Sequence, residues 1–366
     1  MLKIYDRYIL KKFLTTFFFI LGVIMLLAIV FDISEKLKDF IEKKAPLSDV
    51  ILNYYVNFIV FYGNTFSSLI VFITVIWFTS KMAQDSEIIP MLFSGKPFSR
   101  ILRPYMIGAA ILTLLSFILN HYIVPRSNES RLQFEERYYR DNLYINNFIA
   151  EFPDNTIVYF DHYNTGDKII ANLKIEKWSE KNQLEKLIQA GSAQYKEEAK
   201  KWQLNNYFIR EINSPASKTK EIVPDKIMKG IQYDTILPFE TKDIASRNNN
   251  SEAMTFTELQ EYIKAEKKKG NPNYVLHEIE LHRRTSYPFA TFILTLIGFS
   301  VSSQKKRGGI GLNIAIGLGF AFIYIFSMKV TTVAAINVGL PTFIAVWIPN
   351  LIFLLIGIML YKLAPK

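Results

Sequence analysis

Two short stretches of the sequence carry residue types that could do chemistry. SGKPF, which begins at Ser94, contains the Gly-Lys pair of a nucleotide-binding loop. It lacks the earlier loop glycine and the hydroxyl that follows the lysine, so it does not predict ATP binding by that route. HEIELH places His277 and His282 five positions apart, which separates them by about 140° around a helix, whereas a shared metal needs both on one face. The sequence therefore predicts no metal site, no cofactor and no catalytic centre.

A third stretch, KMAQDSEIIPMLFSGKPFSR at residues 81–100, predicts a binding element instead. Ser86 or Asp85 can cap the start of a helix whose first residue is Glu87, and Gly95 can end it in the left-handed conformation. The apolar positions of this helix form one stripe, made of Ile88, Ile89, Leu92 and Phe93. A helix of about nine residues is too short to be stable alone in water, so it needs a surface to lie on.

Two surfaces fit this short helix. One is the membrane interface and the other is a cytoplasmic protein partner, and the physics of the helix alone favours neither. Glu87 is acidic within a mainly basic loop, and a carboxylate gains nothing from anionic lipid. The protein partner is therefore the preferred interpretation.

Membrane spans must position this helix. Half of the 366 residues are hydrophobic and 29 are phenylalanine, which is too apolar for an ordinary soluble enzyme. Runs of ~20 apolar residues are long enough to cross a ~30 Å hydrocarbon core as helices. Six such runs are present, at 13–33, 55–79, 101–124, 287–303, 309–330 and 341–361. The helical pattern of the fourth run begins further upstream, near Tyr274.

The distribution of charge predicts the orientation. The N-terminus, the loops at 81–103 and 305–307, and the C-terminus together carry 13 basic residues against three acidic ones, and the whole chain has a net charge of +10. By the positive-inside bias these segments are cytoplasmic, with both termini inside. The segment 126–284 has 25 basic and 25 acidic residues, as a translocated domain can have. Because the charge is spread over separate loops beside a membrane, no nucleic-acid partner is expected.

In the polar segment between the third and fourth runs, the spacing of the apolar residues changes. It is first typical of a helix and then becomes the period of two that is typical of a strand. In KIIANLKIEKW the apolar residues at 169, 171, 173 and 175 fall on one face and the polar residues at 172, 174 and 176 on the other. Short strands at about ten-residue spacing predict a sheet sandwich or a jelly roll. Further along, Thr255 and Glu258 form a capping box, which predicts a helix that stops at Gly270 and Pro272. Without cysteine, this domain must be stabilised by its own core.

Several of these features together resemble one family of membrane proteins. They are DRYILKKF near the N-terminus, AQDSEIIPMLFSG between the second and third spans, six spans divided three and three, and the inserted β domain. This combination is similar to the LptF/LptG lipopolysaccharide-export permeases over essentially the whole chain, and the two motifs look more like LptG. The resemblance implies a membrane α-helical bundle of six transmembrane helices with an inserted extracytoplasmic all-β domain, a β-jellyroll, in a bacterial inner membrane.

The resemblance also implies a function and partners. It implies a non-catalytic permease subunit of an ATP-driven ABC transporter, which extracts lipopolysaccharide from the inner membrane and passes it to a periplasmic bridge. The implied partners are an LptB-like cytoplasmic ATPase dimer, an LptF-like sister permease, an LptC/LptA-like bridge protein and membrane lipids. Ser86, Glu87 and the helix to Gly95 match the family's coupling helix, which enters a groove of the ATPase. The alternative is a membrane-anchored sensor or scaffold with a periplasmic β domain and a cytoplasmic docking helix.

Two further sites follow from the resemblance. The first and fifth spans would form a lateral gate against the sister permease, and Gly311, Ala315 and Gly319 form a row of small residues on the fifth. Such rows let helices approach closely, and packing within the chain explains this one equally well. Lys36 and Lys38 lie just beyond the first span, where phosphates of a lipid headgroup would sit. Snorkelling or local ion pairing explains these lysines equally well.

The predicted organisation has three parts. Residues 1–125 hold the first three spans with the coupling helix at 86–95. Residues 126–272 form the periplasmic β-jellyroll domain with flanking helices, and residues 273–366 hold the last three spans.

Overall fold

The structure is a computed structural model that describes residues 3–87, 97–139, 144–212, 224–239, 241–244, 251–268, 273–303 and 309–364. The chain divides into two compact units. The first unit contains Met1–Tyr139, Asn249–Gln260 and Val275–Lys366. The second unit contains Arg140–Asn248 and Glu261–Tyr274.

Among the described residues, six helices are long and apolar enough to cross a membrane. In chain order, spans 1 to 6 are Ile4–Glu42, Ser67–Gln84, Phe98–Tyr138, Tyr274–Ser302, Gly309–Val338 and Thr342–Leu363. The prediction of six membrane helices is confirmed, and the fourth begins at Tyr274, where its upstream pattern placed it. Before span 2 the chain forms Leu47–Asp49, the π-helical segment Val50–Tyr55 and the helix Val56–Thr65. Span 3 consists of Phe98–Ile118, the π-helical segment Leu119–Ile123 and Val124–Tyr138.

Span 1 is longer than its apolar run. It has 39 residues, which corresponds to about 58 Å, whereas the apolar run at 13–33 corresponds to about 31 Å. The turns before this run carry Lys11 and Lys12, and the turns after it carry Lys36 and Asp39. Because charged residues avoid the hydrocarbon core, span 1 extends beyond that core at both ends.

Polar side chains join the helices inside the apolar bundle. The Asn64 amide donates a hydrogen bond to Asn120 at 2.6 Å, and the Ser116 hydroxyl donates to Asn64 at 2.8 Å. The Tyr324 hydroxyl of span 5 donates to Asn350 of span 6 at 2.8 Å. Since an unpaired polar group is costly in an apolar interior, these bonds fix which faces of the helices meet.

The second unit contains a six-stranded antiparallel sheet in the order β1-β2-β3-β4-β5-β6. Its strands are β1 Tyr144–Phe152, β2 Thr156–Asn164, β3 Ile169–Trp178, β4 Leu184–Lys196, β5 Lys201–Glu211 and β6 Lys226–Thr235. One face carries an apolar core that includes Phe160, Leu173 and Trp202. The inserted all-β domain is thus confirmed. Its described strands form one sheet in which each strand pairs with the next, whereas a jelly roll has two facing sheets.

A line of unpaired positions crosses this sheet from β1 to β5. Its members stand opposite one another in the register and take no part in the ladder pairing; they are Asn147, Asp161, Asn172, Gly191 and Asn206. The three asparagines have positive φ, at 52°, 53° and 50°. Asparagine is one of the few residues that tolerate this left-handed conformation. We call these five residues the kink line.

The alternation of buried and exposed residues along β3 shifts by one residue at the kink line, so that residues on both sides of the line reach the same core. In β3, Ile170 is buried before the line, and Leu173 and Ile175 are buried after it. The simple alternation predicted for β3 is therefore wrong before Asn172, since Ile169 is exposed there. The physical reason is that a left-handed residue interrupts the extended backbone on which a period of two depends.

The capping box of the helix after the sheet is confirmed. The Thr255 backbone N–H donates to the Glu258 carboxylate at 2.8 Å, and the Glu258 N–H donates to the Thr255 hydroxyl at 3.5 Å. The helix is Phe256–Lys268. Its predicted stop at Gly270 and Pro272 lies outside the described residues.

Candidate functional site

Span 2 ends in a Schellman motif at Ser86. The Glu87 N–H donates to the Met82 carbonyl at 2.9 Å, and the Ser86 N–H donates to the Ala83 carbonyl at 3.3 Å. Ser86 has a φ of 57°, the left-handed conformation that this motif requires. An N-cap residue has an extended backbone, so Ser86 does not have the N-cap geometry that the sequence predicted. Asp85 and Ser86 instead close the preceding helix.

The Glu87 side chain contacts span 1. Both carboxylate oxygens lie 3.4 Å from Lys12 Nζ, and the Tyr8 hydroxyl donates to Oε2 at 3.3 Å. Lys12 also donates to the Tyr8 hydroxyl at 3.0 Å. The side chains of Lys12 and Glu87 are 29% and 33% exposed. Water and other molecules can therefore compete for this ion pair, which makes it the weaker kind.

A second ion pair joins the start of span 3 to the same part of span 1. Arg100 Nη1 and Nη2 each donate to one oxygen of Asp6 at 2.7 Å, which is bidentate geometry. The Asp6 side chain is 0% exposed and also accepts the Lys3 backbone N–H at 2.9 Å. The Tyr5 hydroxyl donates to the Arg100 carbonyl at 3.1 Å. Because the carboxylate is fully buried, salt and water screen this pair much less.

These contacts bound the predicted coupling helix on both sides. Glu87 precedes residues 88–96 and Arg100 follows them, and both side chains are bound by the first turns of span 1. The predicted contact residues Ile88, Ile89, Leu92, Phe93 and Gly95 lie outside the described residues. Sequence reasoning singled out Glu87 but missed Asp6, Lys12 and Arg100. The sequence feature that could have indicated these contacts is Asp6, which is the single acidic residue among the first twelve residues of the chain.

Lys36 and Lys38, the predicted headgroup lysines, have different surroundings. Lys36 is 10% exposed, and its ammonium group donates to Asp32 at 2.6 Å and to the Tyr54 hydroxyl. Local ion pairing, one of the two alternatives, is therefore what the structure shows for Lys36. Lys38 is 82% exposed and lies 3.7 Å from Glu42, so its charge is accessible from solvent.

The small-residue row on span 5 faces away from the rest of the chain. Gly311, Ala315 and Gly319 are exposed, and a Cβ atom added at either glycine would meet no described atom within 4 Å. Span 5 packs within the chain through Gly317, where an added Cβ would lie 2.2 Å from Ile76 Cδ1 of span 2. The sequence left open whether the predicted row serves packing within the chain. The structure shows that packing within the chain does not use this row.

A cavity of about 360 Å³, with a mostly apolar lining that also holds charged groups, lies within the first unit. Its polar lining includes Asn64, Asn120, Glu252, Glu280, Arg283 and Lys329. Arg284 holds one wall in place, because its guanidinium donates to the carbonyls of Ser251 and Met254 at 2.7 Å. Sequence reasoning missed this cavity. The sequence feature that could have indicated it is the pair of arginines at 283 and 284 inside the helical pattern of the fourth span.

The fold and this site define a class of protein. The chain is a multi-pass membrane protein whose helical bundle carries an inserted β domain, and charged contacts fasten the connection between spans 2 and 3 to span 1. The family described as lipopolysaccharide export system permease LptF/LptG matches residues 7–363, and the chain belongs to this family. It is therefore a permease of lipopolysaccharide export, a non-catalytic membrane subunit. The match does not distinguish the LptF type from the LptG type. No individual curated protein matches the chain significantly.

Proposed function

We propose that this chain couples ATP hydrolysis by a separate LptB-like ATPase dimer to the extraction of lipopolysaccharide from the inner membrane. The lipid then passes to an LptC/LptA-like bridge protein in the periplasm. The excess of basic residues supports an orientation with both termini and residues 81–103 in the cytoplasm and the sheet in the periplasm. Membership of the family supports export, and the local geometry after span 2 supports the coupling role.

The observation that carries the coupling role is the geometry at Glu87. The Schellman motif fixes the backbone of Ser86 and Glu87 at the end of span 2, so residues 88–96 continue from a rigid point. The Glu87 carboxylate is one-third exposed and can contact a protein surface. The sequence beyond it carries the apolar stripe of a short docking helix. A motor that contacts Glu87 would therefore act on a residue that is fixed to the end of span 2.

The exposed small-residue row supports a lateral gate on span 5. Gly311, Ala315 and Gly319 offer a surface that another helix can approach closely, and we assign that surface to the LptF-like sister permease. Span 1 is the second gate helix in this proposal. Lys38 is the better of the two predicted lysines for a lipid phosphate, because its ammonium group is accessible whereas that of Lys36 is buried.

Charge reversal at Glu87 tests the coupling role. The full chain, a candidate ATPase and a sister permease are reconstituted in vesicles that contain lipopolysaccharide, and association, ATP hydrolysis and lipid release to a bridge protein are measured. Glu87→Lys is expected to weaken association and to lower lipid release about 10-fold or more, because it places a like charge or an unpaired charge at a protein contact. Asp85→Lys is the matched control, since it makes the same charge change at an exposed side chain two residues away. Unchanged association and release with Glu87→Lys would contradict the proposal.

A further inference from the structure

We propose that the coupling segment drives span 1 directly, through two ion pairs that act as a clamp: Asp6 with Arg100 and Lys12 with Glu87. These four residues would be positioning residues of the export cycle. The inference rests on the proposed function, because it takes residues 88–96 as the place where the motor acts. The inference goes further than the proposed function in one respect. Span 1 moves at the same time as spans 2 and 3, although only spans 2 and 3 are connected covalently to the segment.

The two ion pairs are placed to transmit motion from both ends of the segment. One contact alone would let the segment pivot about it. Two contacts, at Glu87 before the segment and at Arg100 after it, tie both of its ends to one helix. Asp6 and Lys12 lie six residues apart on span 1, about 9 Å along its axis. A displacement or a tilt of the segment is therefore passed to the first turns of span 1.

The ion pairs differ in strength, and the difference suggests different roles. The Asp6–Arg100 pair is bidentate and its carboxylate is buried, so breaking the pair would leave an unpaired carboxylate away from water. We expect it to persist through the cycle. The Lys12–Glu87 pair has longer contacts and is one-third exposed, so it is the weaker of the two contacts of the clamp.

Span 1 is suited to carry the motion across the membrane. It is one uninterrupted helix from Ile4 to Glu42. Near its far end, Asp32 and Lys36 are bound to Tyr54 of the segment that precedes span 2. A movement at the clamp therefore reaches the far end of span 1, where lysines face the outer side in the proposed orientation.

Nitroxide labels test this transmission directly. The chain has no cysteine, so Leu37→Cys and Tyr122→Cys introduce its two sole labelling sites. Both side chains are exposed; Leu37 lies beyond the apolar run of span 1, and Tyr122 lies at the outer end of the apolar run of span 3. In the reconstituted complex, ATP is expected to change the distance between the labels. Arg100→Gln should abolish this change and lower the lipid released per ATP about 5- to 10-fold, a usual size for a lost coupling. Arg103→Gln is the matched control, because Arg103 is an exposed arginine three residues away. This variant should keep the distance change and the wild-type amount of lipid released per ATP.

Conservative and surface variants separate transmission from mere stability. Arg100→Lys keeps the charge and should restore part of the lipid released per ATP. Lys12→Gln should lower that ratio about 2- to 5-fold, while Lys11→Gln, an exposed lysine beside it, should not. If Arg100→Gln fails to assemble, Lys12→Gln decides the matter. An assembled Lys12→Gln complex with the wild-type ratio and the wild-type distance change would overturn the inference.

The wild-type complex distinguishes this inference from the proposed function. Absence of ATPase binding or of lipid release in the wild type would refute the proposed function itself. Normal release without any change in the label distance would refute only the transmission through span 1.

Discussion

Glu252 is a carboxylate that the fold holds in an unfavourable place. It lines the cavity of the first unit, on the segment that Arg284 fixes through the carbonyls of Ser251 and Met254. Burial, and then the nearby Glu280 carboxylate, raise the pKa of Glu252 to about 7, although three arginines close by act in the opposite direction. The charged form of Glu252 therefore opposes folding.

The pH dependence of stability follows from this pKa. The unfolded chain releases the proton near the ordinary value of 4.5, whereas the folded chain keeps it to about 7. Because the folded state binds more protons in this window, the contribution of Glu252 to stability falls as pH rises from about 4.5 to 7, by about 3 kcal/mol in total. Glu252→Gln should therefore raise the thermal unfolding midpoint clearly at pH 8 and only slightly at pH 5.

Glu258→Gln is the control, because it should change the stability at pH 8 in the opposite direction to Glu252→Gln. Its carboxylate accepts the Thr255 N–H in the capping box, which lowers the pKa of Glu258. Loss of that charge should cost stability at pH 8, where the carboxylate is ionised in both states. Thermal unfolding of the full-length protein in detergent measures both variants, and an equal response of Glu252→Gln at pH 5 and pH 8 would contradict the first prediction.

Individual residues show where sequence reasoning succeeds and where it stops. The side chains of Asp85 and Ser86 suit either end of a helix, so only the φ of Ser86 reveals that they close span 2. The partner of Asp6 lies 94 residues away, and no local pattern predicts such a pair. Lys36 has the sequence context of a headgroup ligand, and its burial becomes apparent only once Tyr54 is placed beside it.

At the scale of elements, the kink line sets the shape of the sheet. The period of two predicted the strands correctly over most of their length, because one face of each is apolar. It failed before Asn172, because the left-handed residue shifts the alternation by one position. The sequence contains asparagine at three of the five positions of the line, but their alignment depends on a register that the sequence alone does not show.

Asn206 provides a test of the kink line. Asn206→Val places a β-branched residue at a φ of 50° and should destabilise the sheet by about 1–2 kcal/mol, whereas Asn206→Gly should be tolerated. Gln189→Val is the matched control, because Gln189 is exposed on the neighbouring strand β4 without positive φ. Hydrogen exchange of the β4 and β5 amides in the full-length protein measures the effect. Equal protection in the valine and glycine variants at 206 would show that the backbone conformation there is unimportant.

At the scale of the whole molecule, span 5 has two glycine surfaces with different uses. Gly317 faces span 2 within the chain, and Gly319 faces away from it. Composition and hydropathy predicted the span, and the small-residue row was visible in the sequence. Which glycine lies inside depends on how the helix is rotated, and four-residue spacing alone does not determine that rotation.

A pair of leucine substitutions separates the two surfaces. Gly317→Leu should lower the thermal stability of the chain itself, because even a Cβ atom there would displace Ile76. Gly319→Leu should leave that stability unchanged and weaken co-purification with the sister permease. Thermal unfolding and co-purification measure the two effects. A loss of stability with Gly319→Leu, or undisturbed association, would argue against a partner on this face.

The charges on span 1 restrict how that helix can move in a bilayer. Lys12 and Asp32 are 20 residues apart, about 30 Å along the axis, which equals the thickness of the hydrocarbon core. Sliding by one turn, ~5.4 Å, would carry either Lys12 or the ion pair of Asp32 with Lys36 to the depth of the hydrocarbon core, at a cost of about 2–3 kcal/mol. Rocking or turning about the helix axis avoids that cost. A thicker or thinner bilayer would then change the resting tilt of the helix, so membrane composition should tune how readily the exporter opens.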